Sequence, residues 1–247
     1  MEKKSKNLIP YGHQEIDDAD IKAVVEVLES DWLTQGNKVP DFEESVAKKF
    51  KAAHAVALNS ATSALHVACL ALEVGETDIV WTSSNSFVAS ANCALYCGAE
   101  VDFVDIDPDT YNLCVDKLEK KLIQAKRSNT LPKVLIPVHL CGQPCDMKRI
   151  YELSREYGFN IIEDASHAVG SKIGNEPVGS CRWSDIAIFS FHPVKIITTG
   201  EGGMALTNSS DLMQRMKLLR SHGITRNSDI LSRKNNIPPW YYEQILL

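Results

Sequence analysis

The sequence predicts an α/β fold: about seven strands in a mostly parallel sheet with helices on both faces. Two observations carry this. Short apolar runs of strand length alternate along the chain with stretches whose apolar residues recur at helical spacing. The run Lys133–Val138 is apolar after its first residue, the pattern of a parallel strand covered on both sides.

The elements follow in order. Residues 1–9 read as a loose tail, with the fold starting at Ile9-Pro10-Tyr11-Gly12. Asp17–Leu28 is a helix, since Ile21, Val24, Val25 and Leu28 share one face and the acidic residues favour its N-terminal end. Trp32–Gly36 is a loop and Val39–Phe50 a second amphipathic helix. Ala55–Leu58 is a short strand; Asn59 or Ser60 then caps a helix from Ala61 to about Leu72. Asp78–Thr82 is the next strand, and Ser83–Ser90 turns into a helix that runs to Leu95 and stops at Gly98. Val101–Val104 is a strand, Asp105–Pro108 a loop and Asp116–Lys126 a helix. Lys133–Val138 leads through His139–Pro144 to the helix Asp146–Tyr157, which Gly158 ends. Asn160–Glu163 and Ile186–Phe189 are strands, Gly202–Thr207 another, and Asp211–Leu219 the last helix.

Composition narrows the function. The 247 residues are enough for one large α/β domain or two small ones, and 44% hydrophobic with 23% charged residues is an ordinary globular balance. The net charge of −6 offers no footprint for nucleic acid or an anionic membrane, and no apolar run is long enough to span a bilayer. MEKKSKNLIP has basic residues without an apolar core behind them, so it does not read as a secretory signal. Seven cysteines without such a signal point to reduced thiols and a cytoplasmic protein. Cys93/Cys97 and Cys141/Cys145 each have three residues between them, but Cys93 and Cys97 fit as small core residues, so no metal site is expected.

The chemistry concentrates between Ser190 and Gly203. An apolar strand delivers Ser190, Phe191 and His192; Pro193 stops it, Lys195 follows, and Gly200-Glu201-Gly202-Gly203 closes the stretch. A lysine between a strand end and a Gly-rich turn, on a buried connecting loop, is placed to be desolvated. Desolvation lowers its pKa and frees an amine for carbonyl chemistry. A phosphate-binding Walker loop is excluded by order, since there the glycines precede the lysine. A Rossmann oxidoreductase is excluded by the lack of GxGxxG after the first strand. Two further features align with the lysine. Asp164 sits at a parallel strand's carboxyl end, where open α/β sheets bind ligands. The strand-to-helix turn at Ser60-Ala61-Thr62 offers free N–H groups to an anion.

The ordered string Ser190-Phe191-His192-Pro193-x-Lys195 followed by Thr199-Gly200-Glu201-Gly202-Gly203 closely resembles the signature of the DegT/DnrJ/EryC1/StrS sugar aminotransferases. The resemblance implies the large domain of a PLP-dependent transferase of fold type I, aspartate aminotransferase-like. It implies Lys195 as the residue that carries pyridoxal 5′-phosphate (PLP) and Asp164 as the anion at the pyridine nitrogen. It places Ser190, Ala61 and Thr62 on the phosphate, Phe87 on the ring and His167 beside the cofactor. On the substrate side it points to Trp32 and Thr34, from the entrance segment, and to His139 and His192. Where the family usually reads Pro-x-x-Thr-Phe-Val-Ala, this chain has Ser84 and Ser86 for the proline and threonine. Dehydratases of the same family carry histidine in place of the lysine, so Lys195 argues for amino transfer.

SFHPVKIITTGEGG and CALYCGAEVDFVDID resemble the branch that serves pseudaminic acid synthesis. The expected substrate is a UDP-linked 4-keto-6-deoxy-N-acetylhexosamine aminated at C4, with L-glutamate as donor and a homodimer as the assembly. The family continues beyond a segment like Trp240–Leu247 with a Gly-x-Asn-Tyr/Phe-Arg motif and a small C-terminal domain. Neither is present, so residues 1–247 are expected to be an N-terminal segment plus the PLP-binding large domain. The alternative is a truncated, weak or inactive PLP-binding fragment, or a subunit partner.

Overall fold

Helices and strands alternate because each apolar run is closed by a residue that hands the chain to the next element. The computed structural model describes residues 12–34, 36–238 and 240–246. The expected tail, the Ile9–Tyr11 start and Gln35 lie outside them. Helix α1 (Asp18–Leu28) starts in a capping box, Asp17 accepting from the Asp20 amide and Asp20 from the Asp17 amide. Helix α2 (Lys38–Phe50) leads to β1 (His54–Leu58), and α3 (Ala61–Ala71) follows at once, its Ser60 cap accepting from the Ser63 amide. Then come β2 (Ile79–Ser83), α4 (Ala89–Tyr96), β3 (Glu100–Val104), α5 (Val115–Ser128) and β4 (Val134–Ile136). Helix α6 (Met147–Tyr157) ends at Gly158, which takes the left-handed φ of 81°. Strand β5 (Asn160–Asp164), a hairpin of β6 (Lys172–Ile173) and β7 (Glu176–Pro177), β8 (Ile186–Ser190), β9 (Gly203–Thr207) and α7 (Ser210–Arg220) complete the main body. A last pair, β10 (Ile224–Thr225) and β11 (Glu243–Gln244), is antiparallel.

Seven strands form one sheet in the order β1-β9-β8-β5-β4-β2-β3. The pairs β8–β5, β5–β4, β4–β2 and β2–β3 are parallel, while β9 is antiparallel to both β8 and β1. Six strands therefore run the same way and β9 alone is reversed, which bears out the mostly parallel sheet.

Side-chain alternation sorts the strands between two faces. Val56, Ile162, Ile186, Ile188 and Ala205 pack with Ala64, Ala68, Cys93 and Met216 of α3, α4 and α7. On the other face, Phe189, Met204 and Leu206 meet Val46, Ala47 and Phe50 of α2, and Trp81, Leu135 and Ile161 meet Leu118, Leu122, Ile150 and Leu153 of α5 and α6. Helices thus cover both faces, and each fully buried aliphatic side chain contributes about 1.5–3 kcal/mol. Asp164 and Ser190 keep the parity of Ile162 and Ile188, so both fall on the α3/α4 face.

Two expectations are corrected. The strand expected over Lys133–Val138 is confined to Val134–Ile136, because Pro137 has no N–H for the ladder, although Val138 still bridges Asp164. The loop carrying Lys195 is not buried: Lys195 itself is half-buried, but Val194, Ile196 and Ile197 are exposed. Helix α1 is amphipathic as expected, yet none of its residues is buried. The seven cysteines are free thiols, Cys93 fully buried and Cys97 partly so. Among the described residues no helix is long and apolar enough to cross a membrane.

Candidate active site

The carboxyl ends of the six like-directed strands and the amino end of β9 share one rim of the sheet. A cavity of about 620 Å³ opens there. Asp164, Lys195, Ser190, Ala61, Thr62, Phe87, His167 and His192 all line it. Residues spread over more than half the chain thus meet at one place, for the reason that open α/β sheets bind ligands at strand ends.

Asp164 ends β5 and is buried. Its Oδ1 accepts from the Ser166 hydroxyl at 2.6 Å and the Ser166 amide at 3.2 Å. Its Oδ2 accepts from the Ser90 hydroxyl at 2.6 Å, and Ser90 lies 2.7 Å from the hydroxyl of Ser86. Two hydroxyls and one amide hold the carboxylate, and charge-assisted bonds as short as the two from the hydroxyls are the strong ones. Lys195 sits across the same cavity. Burial pushes its amine below the ordinary lysine pKa, and the charge of Asp164 pulls it partly back.

The opposite end of the cavity is built for an anion. Ser63's amide is taken by the Ser60 cap, whereas the Ala61 and Thr62 amides have no protein partner among the described residues. They sit at the positive end of the α3 dipole. The Ser190 hydroxyl, on buried Ser190, likewise has no protein partner among them. Gly203 lets β9 run against this turn, since a Cβ there would stand 2.4 Å from the Ser60 carbonyl carbon and 2.5 Å from the Ala61 nitrogen. Gly202 is as tight: a Cβ would lie 2.2 Å from Thr199 Oγ1.

The histidines divide. His167 is half-buried, and its Nδ1 accepts from the Cys141 amide at 3.3 Å. Burial and the Lys195 charge lower its pKa, with Asp164 opposing. His192 is exposed, its Nε2 3.9 Å from Glu201. His139 is not on the cavity wall, which corrects its expected contact with cofactor or substrate. It is fully buried, with Nε2 at 2.9 Å from Glu163 and Nδ1 accepting from the Cys145 amide. Strand alternation explains this: Glu163, next to Asp164, faces the other side of the sheet and draws His139 with it. Trp32 and Thr34 lie exposed after α1 and do not line the cavity either. Phe87 does, with 71% of its surface exposed. The sequence reading assigned no role to Ser90 or Ser166. The spacing Asp164-x-Ser166, a local turn, could have flagged the second; nothing short-range could have flagged the first.

The model of the DegT/DnrJ/EryC1/StrS aminotransferase family matches residues 14–236. The chain belongs to this family. The cofactor of the family is PLP. Over 219 residues the chain is 45% identical to the UDP-4-amino-4,6-dideoxy-N-acetyl-beta-L-altrosamine transaminase of Campylobacter jejuni serotype O:23/36, covering 89% of this chain and 56% of that one. It is 43% identical over 205 residues to the GDP-perosamine synthase of Caulobacter vibrioides, covering 83% and 53%. The structure of Helicobacter pylori PseC, an aminotransferase involved in pseudoaminic acid biosynthesis, superposes with a TM-score of 0.84 at 33% identity, covering 96% of this chain and 60% of that one. Its large-domain fold, fold type I, is the one found here. The chain spans little more than half the length of these relatives.

Proposed function

We propose that residues 1–247 form the N-terminal segment and cofactor-binding large domain of a nucleotide-sugar aminotransferase. The observation that carries this is Lys195 and Asp164 on one cavity that also receives the N-terminus of α3. The residues fit PLP. The free Ala61 and Thr62 amides with the Ser190 hydroxyl suit a phosphate, Asp164 suits a protonated ring nitrogen, and Phe87 offers a flat apolar surface. PLP, when bound, supplies an aldehyde for the lysine and a ring that takes up carbanion charge. Lys195 Nζ, its pKa lowered by burial, would be the amine that meets the aldehyde, and it is placed to move the proton at the donor's α-carbon. Asp164, locked by Ser90 and Ser166, keeps the ring nitrogen protonated. His167 donates to the cofactor from its free nitrogen, and His192 stands on the substrate side.

The donor is L-glutamate. The acceptor is a UDP-linked 4-keto-6-deoxy-N-acetylhexosamine aminated at C4, as in pseudaminic acid synthesis; the Campylobacter relative supports this sugar. The exposed Phe87, Val88, Val194, Ile196 and Ile197 near the cavity support a homodimer, and the protein acts in the cytoplasm. Purified protein with PLP is expected to show a visible absorbance band. L-glutamate should convert it to the pyridoxamine spectrum, and the UDP-keto-sugar should restore it while a GDP-keto-sugar should not. A band unchanged in Lys195→Ala overturns the lysine assignment. A band that glutamate does not convert favours a chain that holds PLP without turnover.

A further inference from the structure

The turn after β4 is held from outside by one buried side chain. Asn112, in the segment before α5, is 4% exposed. Its Oδ1 accepts from the Leu140 amide at 3.1 Å and its Nδ2 donates to the Gln143 carbonyl at 2.9 Å. The two bonds clamp both ends of a single turn, Leu140–Gly142. Inside it, Cys141 adopts the left-handed φ of 52° and Gly142 a φ of 86°. Left to itself a cysteine disfavours that conformation, and the clamp supports it together with the turn's own bonds from the Gly142 amide to the His139 carbonyl and from the Gln143 amide to the Leu140 carbonyl. The left-handed Cys141 is what aims its amide at His167 Nδ1. The turn also backs directly on His167, since a Cβ on Gly142 would lie 3.0 Å from the His167 carbonyl oxygen, and Ser171 Oγ donates to the Gly142 carbonyl at 2.7 Å.

An N–H donor fixed on Nδ1 leaves that nitrogen unprotonated and puts the ring proton on Nε2. His167 Nε2 has no protein partner among the described residues, and His167 lines the cavity. We propose that Asn112 is a positioning residue: through the Leu140–Gly142 turn and the Cys141 amide, it keeps the proton of His167 on Nε2 as a fixed hydrogen-bond donor toward the cavity. The ligand that takes this donor rests on the proposed function, but the tautomer does not, so the test is made on protein without cofactor.

Long-range ¹H–¹⁵N correlation spectra give the protonation pattern of each imidazole, and His167→Gln identifies the signals of His167. The wild-type protein is expected to show one tautomer, protonated at Nε2. In Asn112→Ala the pattern averages between tautomers, and the imidazole pKa rises by about half a unit, because a hydrogen bond to the neutral ring is lost. Asn112→Asp keeps the acceptor for Leu140 and loses the donor to Gln143; it gives a smaller loss of the Nε2–H pattern and serves where the alanine variant does not fold. A wild-type proton on Nδ1, or variants with the wild-type pattern, overturns the proposal. A protein that shows the expected tautomers but binds no PLP keeps this inference and loses the functional one.

Discussion

The Ser90 hydroxyl donates to Asp164 Oδ2 at 2.6 Å although the two residues stand 74 positions apart. Helix α4 follows β2 after a five-residue turn, and β5 ends two strands away in the same sheet, so the contact is made by topology. Removing it leaves a buried carboxylate one donor short. Ser90→Ala is expected to weaken PLP binding by about 1.5 kcal/mol, roughly tenfold. Ser90→Thr, which keeps the hydroxyl, should restore it. Absorbance titration with PLP measures both.

Lys195 carries a pH prediction with a definite sign. Its folded pKa lies below 10.5 because of burial, with Asp164 as the group that raises it. Its ¹³Cε titration should have a midpoint below the ordinary lysine value, and Asp164→Asn should lower it further. Between the folded pKa and 10.5 the unfolded chain binds the extra proton. The stability contributed by this residue therefore rises as pH climbs through that window. A midpoint that moves up in Asp164→Asn contradicts the arrangement.

Glu43 ties three elements together. Buried on α2, it accepts from the Ala57 amide of β1 at 2.9 Å and from Arg220 of α7 at 2.6 Å, and Arg220 also donates to the Ala57 carbonyl. Arg220→Ala leaves the carboxylate only the Ala57 amide and the more distant Lys217 ammonium at 3.6 Å, and losing the charged hydrogen bond costs about 2 kcal/mol. Urea unfolding should record that loss, with an unchanged cavity in any fraction that stays folded.

Gly203→Ala drives a methyl group into the Ser60–Ala61 backbone, which has no rotamer to yield. Melting temperature and PLP affinity should fall together, since the same peptide forms the end of the cavity proposed for the phosphate. Gly75→Ala, with nothing within 4 Å of the added methyl, should leave both near wild type.

The order of strands and helices was legible because each carries its own period or apolar run, and the Lys195 motif named the chemistry. Elements of two residues, β6, β7, β10 and β11, have no period to read. The reversal of β9 is invisible in sequence, because Gly203–Thr207 is as apolar as the parallel strands of the same sheet. Asp164, Lys195, Ser190, Ala61, Thr62, Phe87, His167 and His192 were found by sequence and do share a cavity. His139 was misread because its neighbour Glu163, not its distance from the site, decides which way it faces. Ser90 was missed because its partner is remote in the chain. The apolar face of α1 was legible, but no described residue buries it.

The reversed β9 has a consequence for how this site can be altered. Ser190 and Gly203 are register partners, so the span from Phe191 to Gly202, Lys195 included, leaves and re-enters the sheet at one point. It is a hairpin arc rather than a crossover. Such an arc can be exchanged whole for one of different length or shape without re-threading any strand, which makes the Lys195 amine a portable module on a fixed frame.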